Sequence, residues 1–415
     1  MKPRQNRRGF LLPGLDLAGL VSAERRDVAG NVFLFSSRYL TPQKEKDMGQ
    51  AISKLTIKGY KSIRSLENFE LRNLNILIGP NGGGKSNFVS FFCFLKAISK
   101  HSLGSFVTQQ GGANRLLYFG SHKLIGKVIV VDLSYEFQFH PSVNNTLFFH
   151  REDFSLEHRR GLGSTWSDKT GLTESSIFLK SADKESENYV EEIRERFVST
   201  ISKIEVYHFH NTSDFAAVKR PCSKRDYDYL RPDASNLAAF LLFLKKKHER
   251  EYQNIRETIQ LAAPFFDDFL LRDSLDNPDE TLLEWQQKNS DYPFHPSQIP
   301  DGTLRFICLA TALLQPNPPS TIILDEPELG LHPLALALLA ELIKKASLKT
   351  QVIAATQSAG LISQFDPQDI IVVERKNEES VFRRLPLEKL KQWIDDYSLG
   401  ELWEMNLLEE RPENE

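Results

Sequence analysis

The chain has 415 residues, of which 40% are hydrophobic and 26% are charged, and its formal net charge is −3. A chain of this kind can bury a full core, as one large domain or as two interleaved lobes. The small net charge provides no global attraction to nucleic acid, so such a contact would need a local basic face. No apolar run approaches the roughly 20 residues that cross a bilayer, which argues against a membrane-spanning helix.

The cysteines and the N-terminal segment bear on the cellular compartment. Cys93, Cys222 and Cys308 are odd in number and too widely spaced for a metal motif, which is typical of reduced thiols in a cytoplasmic protein. Arg7-Arg8 resembles the start of a twin-arginine export signal, but Pro13 interrupts the short apolar region that follows. We therefore predict a cytoplasmic protein without membrane attachment.

Residues 1–49 are unlike the rest of the chain, and we expect a disordered N-terminal extension there. Met48 stands just before the first predicted strand, so translation of the natural protein could start at that residue. From Ile52 onward, apolar and polar residues alternate, which indicates a strand with one buried face.

A glycine-rich turn follows the apolar strand at residues 74–78. Gly79, Gly84, Lys85 and Ser86 have the G-x-x-x-x-G-K-[ST] spacing of a phosphate-binding loop, which surrounds a β-phosphate with backbone N–H groups. Lys85 is expected to reach the β- and γ-phosphates, and the Ser86 hydroxyl is expected to hold Mg²⁺. The predicted nucleotide-binding residues of this loop are Asn81, Gly82, Gly83, Gly84, Lys85, Ser86 and Asn87.

The segment after the first helix is less informative. Gln110 could help to coordinate Mg²⁺ or the attacking water, although Gln-Gly-Gly is also an ordinary turn sequence. Residues 127–139 are predicted to form one long strand. Residues 140–200 are polar and irregular, and we expect a solvated excursion there.

Two features between residues 204 and 266 have a structural and a functional interpretation. His208 and His210 would share one face of a strand at 204–210, so a metal pair is geometrically feasible, but no further ligand is evident nearby. Helices are predicted at 236–247 and 251–266. The basic run Lys245-Lys246-Lys247 is either a solvated helix face or a contact to a phosphate backbone.

The last third of the chain alternates strands and helices, as in a parallel sheet with crossover connections. Gly302 permits close backbone approach and Thr303 offers a hydroxyl at the start of a helix. The strand at 321–325 ends in two carboxylates: Asp325 is expected to bind Mg²⁺, and Glu326 to polarise the attacking water. A buried strand followed by a helix cap would show the same pattern, but the phosphate-binding loop favours a nucleotide site.

Together, these motifs resemble the RecF/SMC/OLD-like class of ABC-type ATPases, often called simply AAA family ATPases, over residues 50 to 405. Four segments carry this resemblance: the glycine-rich loop, Asp301-Gly302-Thr303-Leu304-Arg305, Leu324-Asp325-Glu326-Pro327-Glu328-Leu329-Gly330-Leu331-His332-Pro333 and Ala355-Thr356-Gln357-Ser358. The resemblance implies an α/β P-loop NTPase: a two-lobed head with a mixed sheet and an inserted helical/β subdomain.

The resemblance also implies a mechanism and a domain plan. Two subunits would sandwich ATP and Mg²⁺, with the signature turn (residues 300–303) of one subunit meeting the γ-phosphate held by the other. Gln357 matches the catalytic switch position and His332 lies in the segment that crosses the dimer interface. The expected parts are the extension 1–49, an N-terminal ATPase lobe 50–140, an inserted lobe 141–293, a C-terminal ATPase lobe 294–385 and a helical tail 386–415.

This chain departs from the family pattern at the signature turn. Pro300 stands where a serine usually contacts the γ-phosphate, and Asp301 stands where a glycine is usual. Proline supplies neither a hydroxyl nor a backbone donor, so contact with the phosphate would rest on Gly302 and Thr303.

Two functions fit these motifs. The first is Mg-dependent ATP hydrolysis by a homodimer that acts in DNA repair or in defence against phage. The second is an ATP-dependent scaffold that binds and restrains a separate effector, such as a nuclease, because too few residues follow 385 for a nuclease domain of the chain's own. A basic rim formed by Lys54, Lys58, Lys61 and Arg64 could contact DNA, although charged residues also guard ordinary sheet edges.

Overall fold

The computed structural model describes residues 51–130, 133–156, 164–168, 171–178, 184–274, 277–386, 390, 393 and 396–408. The predicted extension at 1–49 lies outside these residues. In chain order the strands are β1 (Ile52–Tyr60), β2 (Ile63–Glu70), β3 (Leu74–Ile78), β4 (Leu124–Val130), β5 (Leu133–Pro141), β6 (Leu147–Leu156), β7 (Ser164–Asp168), β8 (Ile204–Tyr207), β9 (Cys222–Ser223), β10 (Phe266–Leu270), β11 (Glu280–Thr281), β12 (Glu284–Gln287), β13 (Thr321–Asp325), β14 (Gln351–Thr356), β15 (Ile370–Lys376) and β16 (Glu379–Arg384).

The helices are α1 (Lys85–Ser99), α2 (Leu103–Gln109), α3 (Ala113–Leu116), α4 (Lys184–Ile201), α5 (Leu237–Lys247), α6 (Glu249–Ala262), α7 (Asp301–Leu314), α8 (Pro333–Ser347), α9 (Ala359–Ile362) and α10 (Leu399–Glu404). None of the helices within the described ranges is long and apolar enough to cross a membrane. The helix predicted at 251–266 ends earlier, at Ala262, because Pro264 cannot continue it.

Strands from both halves of the chain build a six-stranded mixed sheet in the order β16-β15-β3-β14-β13-β8. The pairings from β15 to β8 are parallel, and only β16 is antiparallel. β3 and β14 are buried along their whole length, which explains why they are continuous apolar runs rather than alternating ones. The predicted mixed sheet is confirmed.

A second six-stranded sheet is antiparallel throughout, in the order β2-β1-β4-β5-β6-β7. The single strand predicted at 127–139 is wrong, because this segment is the hairpin of β4 and β5, with Val130 opposite Leu133. Buried and half-buried residues alternate along both strands, so the sequence pattern shows no break between the end of β4 and the start of β5.

The expectation of a solvated excursion at 140–200 is also wrong. β6 lies in the antiparallel sheet with buried Phe149 and Phe154, and Phe197 of α4 packs against Tyr135 with ring centroids 4.6 Å apart. Glu152 looks like a surface residue but is fully buried, because its carboxylate accepts hydrogen bonds from the Tyr135 hydroxyl at 2.8 Å and from residues 175 and 176.

The mixed sheet is the middle layer of the fold. On one face, α1 and the antiparallel sheet share a core that includes Phe88, Phe91 and Phe94. On the other face, the core includes residues of α5 to α8. Residues 141–293 contribute β6 and β7 to the antiparallel sheet and β8 to the edge of the mixed sheet. The domain boundaries given above remain predictions.

Candidate functional site

The predicted site residues follow the carboxyl ends of neighbouring parallel strands. In the sheet register, Thr356 pairs with Ile78, and Asp325 pairs with Ala355. The glycine-rich loop, the two carboxylates and Gln357 therefore emerge side by side at one edge of the mixed sheet, which is where ligands bind in open α/β sheets.

The glycines of the loop are required by backbone geometry. Gly82 and Gly84 have φ angles of 78° and 117°, in the region that side chains other than glycine rarely adopt. A Cβ on Gly79 would lie 2.1 Å from the carbonyl oxygen of Val373, so β15 leaves no room for a side chain there. The loop conformation thus explains the glycines of the motif.

Two serines brace this loop from other parts of the chain. Ser380 Oγ donates to the Gly83 carbonyl at 2.7 Å and lies 2.7 Å from Ser62 Oγ, which in turn accepts a hydrogen bond from Asn87 Nδ2 at 2.7 Å. Ser62 and Ser380 were not identified from the sequence. The residues around them in the sequence give no sign of this role, because Ser62 lies between β1 and β2 and Ser380 lies in β16. Only the folded chain brings both side chains to the loop.

Lys85 lies within the loop and is buried. Its Nζ donates to the carbonyl oxygens of Gly79 and Pro80 at 2.7 and 3.2 Å. Burial lowers the pKa of Lys85, and the nearby carboxylates of Glu326, Asp325 and Glu328 oppose that shift.

Asp325 shows the signature of a cation ligand. Its Oδ1 is buried and has no hydrogen-bond partner among the described residues. Burial raises the pKa of Asp325, while His208, His210 and a hydrogen-bonding interaction with the Ser86 hydroxyl lower it. The two predicted Mg²⁺ ligands, Ser86 and Asp325, therefore lie at the same edge of the sheet, and their oxygen donors fit a hard divalent cation.

Glu326 has a strained backbone next to this pair. Its φ angle is 45°, which is unusual for a residue other than glycine, and its N–H donates to the Ala355 carbonyl at 2.8 Å. Strain of this kind is concentrated at functional sites. The charge of Glu326 opposes the fall in the pKa of Lys85 and raises the pKa of Asp325. Glu326 also directly follows the end of β13, at the same edge of the sheet as the loop.

Glu328 is a further carboxylate of this edge that the sequence did not single out. Its Oε1 accepts a hydrogen bond from the Gln357 backbone N–H at 3.0 Å, and its Oε2 is buried and lacks a partner in the part of the chain described. Glu328 therefore fixes the backbone at the predicted switch residue. The catalytic role of Gln357 itself remains a prediction.

The signature turn packs directly against the loop that follows β13. A Cβ on Gly302 would lie 2.3 Å from the carbonyl oxygen of Gly330. Arg305, one turn further along α7, donates to the carbonyl oxygens of Leu329 and His210, both at 2.9 Å. His332 is exposed at the N-cap of α8. Gly302 permits close backbone approach, as expected, but the partner is Gly330.

The two histidines lie just beyond β8, which ends at Tyr207, rather than on a strand face. His210 Nε2 lies 2.9 Å from the Asp325 carbonyl oxygen, so this ring supports the acidic strand end. Within the described ranges, no group of three or more His, Cys, Asp or Glu side chains is arranged to hold a metal ion.

Gln110 lies near α1, and its side chain contacts Lys61 there. Lys61 Nζ is 3.4 Å from Gln110 Oε1 and 2.7 Å from Ser90 Oγ, which is one helical turn beyond Ser86. A role for Gln110 in metal or water coordination remains a prediction.

The candidate basic rim is largely neutralised by carboxylates. Lys54 lies 3.7 Å from Glu70, and Lys58 lies 2.8 Å from Glu67, across the β1–β2 pair. Arg64 lies 4.0 Å from Glu379. On α5, Lys245 lies 3.0 Å from Asp268. The first three ion pairs are typical of charged residues that protect a sheet edge from pairing with other strands, and the pair on α5 is typical of a solvent-exposed helix face.

Comparison with known proteins agrees with this arrangement. Residues 74–363 match a family model described as "AAA domain, putative AbiEii toxin, Type IV TA system". No curated protein matches the sequence. A solved structure of an Smc head bound to the C-terminal winged-helix domain of ScpA is similar with a TM-score of 0.50 at 16% identity, over 82% of this chain and 99% of that one.

The Smc head of Pyrococcus furiosus, with an extended coiled coil and bound to the C-terminal domain of ScpA, gives a TM-score of 0.49 at 15% identity, over 83% of this chain and 99% of that one. At such low identity, the first of these structures shows the fold alone: this chain shares the fold of an Smc head. The resemblance stated from the motifs is thereby confirmed.

Proposed function

The chain belongs to the AAA domain family whose model it matches over residues 74–363, and we propose that it is a Mg²⁺-dependent ATPase that works as an ATP-gated homodimer. The observation that carries the proposal is the Oδ1 of Asp325, which is buried and has no hydrogen-bond partner within the described ranges. This strand end lies at the same sheet edge as the loop with Lys85 and Ser86. A carboxylate in such a position destabilises the folded state unless a bound cation compensates its charge.

The loop is suited to a triphosphate. Backbone N–H groups at residues 82–86 and the N-terminus of α1 would surround the β-phosphate. Phosphate oxygens would replace the Gly79 and Pro80 carbonyls as acceptors for Lys85 Nζ. Ser86 and Asp325 would hold Mg²⁺, which supplies charge neutralisation at the β- and γ-phosphate oxygens.

Glu326 is the residue to which we assign activation of the attacking water, because it directly follows Asp325 and its charge influences the pKa of both Lys85 and Asp325. Gln357 would sense the γ-phosphate from the neighbouring strand end. Its backbone position, fixed by Glu328, supports this role.

The dimer supplies the remaining part of the site. Gly302 and Thr303 lie at the N-terminus of α7, a favourable position for an anion. In an ATP sandwich they would meet the γ-phosphate held by the second subunit. The motif resemblance supports this arrangement.

We place the ATPase in defence against phage rather than in DNA repair, because the family description names a toxin and a toxin–antitoxin system. Contact with DNA through the rim would require Lys54 and Lys58 to exchange their carboxylates for phosphates. The second candidate function, control of a separate effector protein by ATP occupancy, is favoured by the Smc head, which is bound to another protein's domain in its solved structure.

Turnover in matched variants tests the proposal. Glu326→Gln keeps the size of the side chain but removes the charge, so phosphate release should fall by a factor of about 100 or more, while ATP binding and dimerisation persist. Phosphate release and light scattering would be measured together, with and without DNA. Glu341→Gln, on the exposed face of α8, is the control and should turn over like the wild type.

Unchanged phosphate release in Glu326→Gln would contradict its catalytic role. Monomers at saturating ATP would contradict the sandwich. Slow hydrolysis in the wild type together with ATP-driven dimerisation would favour the scaffold function over the enzyme function.

A further inference from the structure

A buried lysine lies between two exposed aspartates beside the signature turn. The Lys219 side chain is only 4% exposed, and its Nζ lies 3.6 Å from Asp301 Oδ1 and 3.8 Å from Asp214 Oδ1. The two carboxylate side chains are 63% and 81% exposed. Lys219 is thus a buried cation whose described ionic partners both face solvent.

The core holds Lys219 in this position. It ends the short 3₁₀ turn Ala217–Lys219, and its N–H donates to the Ala216 carbonyl at 3.0 Å. Ala216 and Val218 belong to the same buried cluster as Leu304 of α7. The turn and the signature helix therefore border the same core, which anchors the Lys219 backbone near Asp301.

The charge at this point matters for an approaching phosphate. Asp301 is the first residue of α7, and its carboxylate reduces the positive potential that the helix N-terminus offers to an anion. The N-cap residue, Pro300, makes no side-chain hydrogen bond to the helix. Without a nearby cation, the exposed carboxylate would repel a γ-phosphate that approaches Gly302 and Thr303.

We propose that Lys219 is a positioning residue of the signature turn: its ammonium group offsets the charge of Asp301, so that the γ-phosphate held by a second copy of this chain can approach Gly302 and Thr303. The inference rests on the proposed ATP sandwich and explains how a turn with an aspartate at position 301 can serve in it. Lys219 acts through Asp301 and not by touching the phosphate, since its side chain is buried.

The test uses opposite changes of charge in one cluster. In the Glu326→Gln background, which prevents turnover, Lys219→Met retains the buried stem but removes the cation, and Asp301→Asn removes the anion. ATP-driven dimerisation would be measured by analytical ultracentrifugation over a range of protein concentrations. We expect Lys219→Met to weaken dimerisation about five- to tenfold and Asp301→Asn to strengthen it by a similar factor, with both effects smaller at high salt.

ATP binding by dilute monomers provides the second readout. It should be the same in the parent and in both variants, because the loop of the same subunit is unaffected. Asp214→Asn should strengthen dimerisation in the same direction as Asp301→Asn, and it keeps the test informative if Lys219→Met does not fold.

The outcomes separate this inference from the function on which it rests. If Lys219→Met and Asp301→Asn both weaken dimerisation, the ion pair has only a structural role and the proposal is overturned. If the parent dimerises and the variants match it, Lys219 has no part in the signature turn. A parent that stays monomeric at saturating ATP overturns the sandwich itself, and the role of Lys219 with it.

Discussion

The carboxylate of Asp325 lies in a buried position that lowers the stability of the fold and suits a ligand. Burial raises its pKa, and its Oδ1 finds no partner in the residues that the structure describes. Because the pKa is raised in the folded state, the charged carboxylate lowers stability in full above the raised pKa. This penalty shrinks as the pH falls below the raised pKa and is gone below the ordinary aspartate pKa. Charged groups that are buried at functional sites commonly lower the stability of the fold in this way.

Replacing this carboxylate should therefore stabilise the protein without ligand. Asp325→Asn is expected to increase the unfolding free energy at neutral pH by about 1 kcal/mol, and the gain should vanish at acid pH. The variant should lose the rise in melting temperature that Mg²⁺ and ATP produce in the wild type. Thermal unfolding with and without Mg²⁺ and ATP measures both effects.

Asp369 supplies a matched control for this prediction. Burial also raises its pKa, but it lies in the 3₁₀ turn Pro367–Asp369, away from the carboxylates of the site. Asp369→Asn should retain the full response to Mg²⁺ and ATP. An Asp325→Asn protein that is still stabilised by Mg²⁺ and ATP would show that Asp325 is not needed to bind them.

Single residues differ greatly in how well the sequence predicts them. Lys85, Ser86 and Asp325 could be proposed as site residues because each belongs to a short motif whose spacing has a chemical reason. Ser62 and Ser380 could not, because their hydroxyls meet across 318 positions of sequence. The burial of Glu152 could not be predicted either, since only the fold brings together the hydroxyls that donate to its carboxylate.

At the scale of elements, the contact of α7 with the loop after β13 links the signature turn to the strand that carries Asp325, the proposed metal ligand. Gly302 abuts the Gly330 carbonyl, and Arg305 bridges the carbonyls of Leu329 and His210. The His210 ring in turn lies against the Asp325 carbonyl. The helix that would meet one nucleotide is thus joined by hydrogen bonds to the strand that would bind the other.

A methyl group at Gly302 should disrupt this contact. Its Cβ would lie 2.3 Å from the Gly330 carbonyl oxygen, so α7 must shift. We expect Gly302→Ala to lower the unfolding free energy by about 1 to 3 kcal/mol and to reduce ATPase turnover more than ATP binding. Chemical denaturation, phosphate release and nucleotide titration would be compared.

Gly360→Ala is the control for the added methyl group. Gly360 lies in α9, and a Cβ at this position would have its nearest neighbours 3.8 Å away or more, so this change should be neutral or slightly stabilising. If Gly302→Ala behaved like Gly360→Ala in stability and turnover, the packing of α7 on the loop after β13 would not matter for function.

The elements beside the motifs were predicted better than the rest. β3, β13 and β14 are buried apolar runs that end at recognisable site residues, and their order along the chain implied parallel pairing. The antiparallel sheet was misjudged, because β4 and β5 share one unbroken alternation and β6 contains several charged residues. Pairing across strands, rather than local pattern, determines that sheet.

At the scale of the molecule, the fold explains why the site lies where it does. The mixed sheet is covered on one face by α1 and the antiparallel sheet and on the other by α5 to α8. Burial on both faces leaves the carboxyl edge as the place where polar groups can reach a ligand. The family match and the similarity to the Smc head concern this same layered unit.

Equilibrium binding of labelled ATP at millimolar Mg²⁺ is the most direct test that a nucleotide lies between the glycine-rich loop and Asp325. Lys344→Ala serves as a control, since this exposed lysine pairs with Glu341 on α8, in a different part of the chain. We predict saturable binding by the wild type and by Lys344→Ala, and a loss of at least about tenfold in affinity for Lys85→Ala and for the wild type in EDTA. Equal affinity of Lys85→Ala and the wild type would contradict the account.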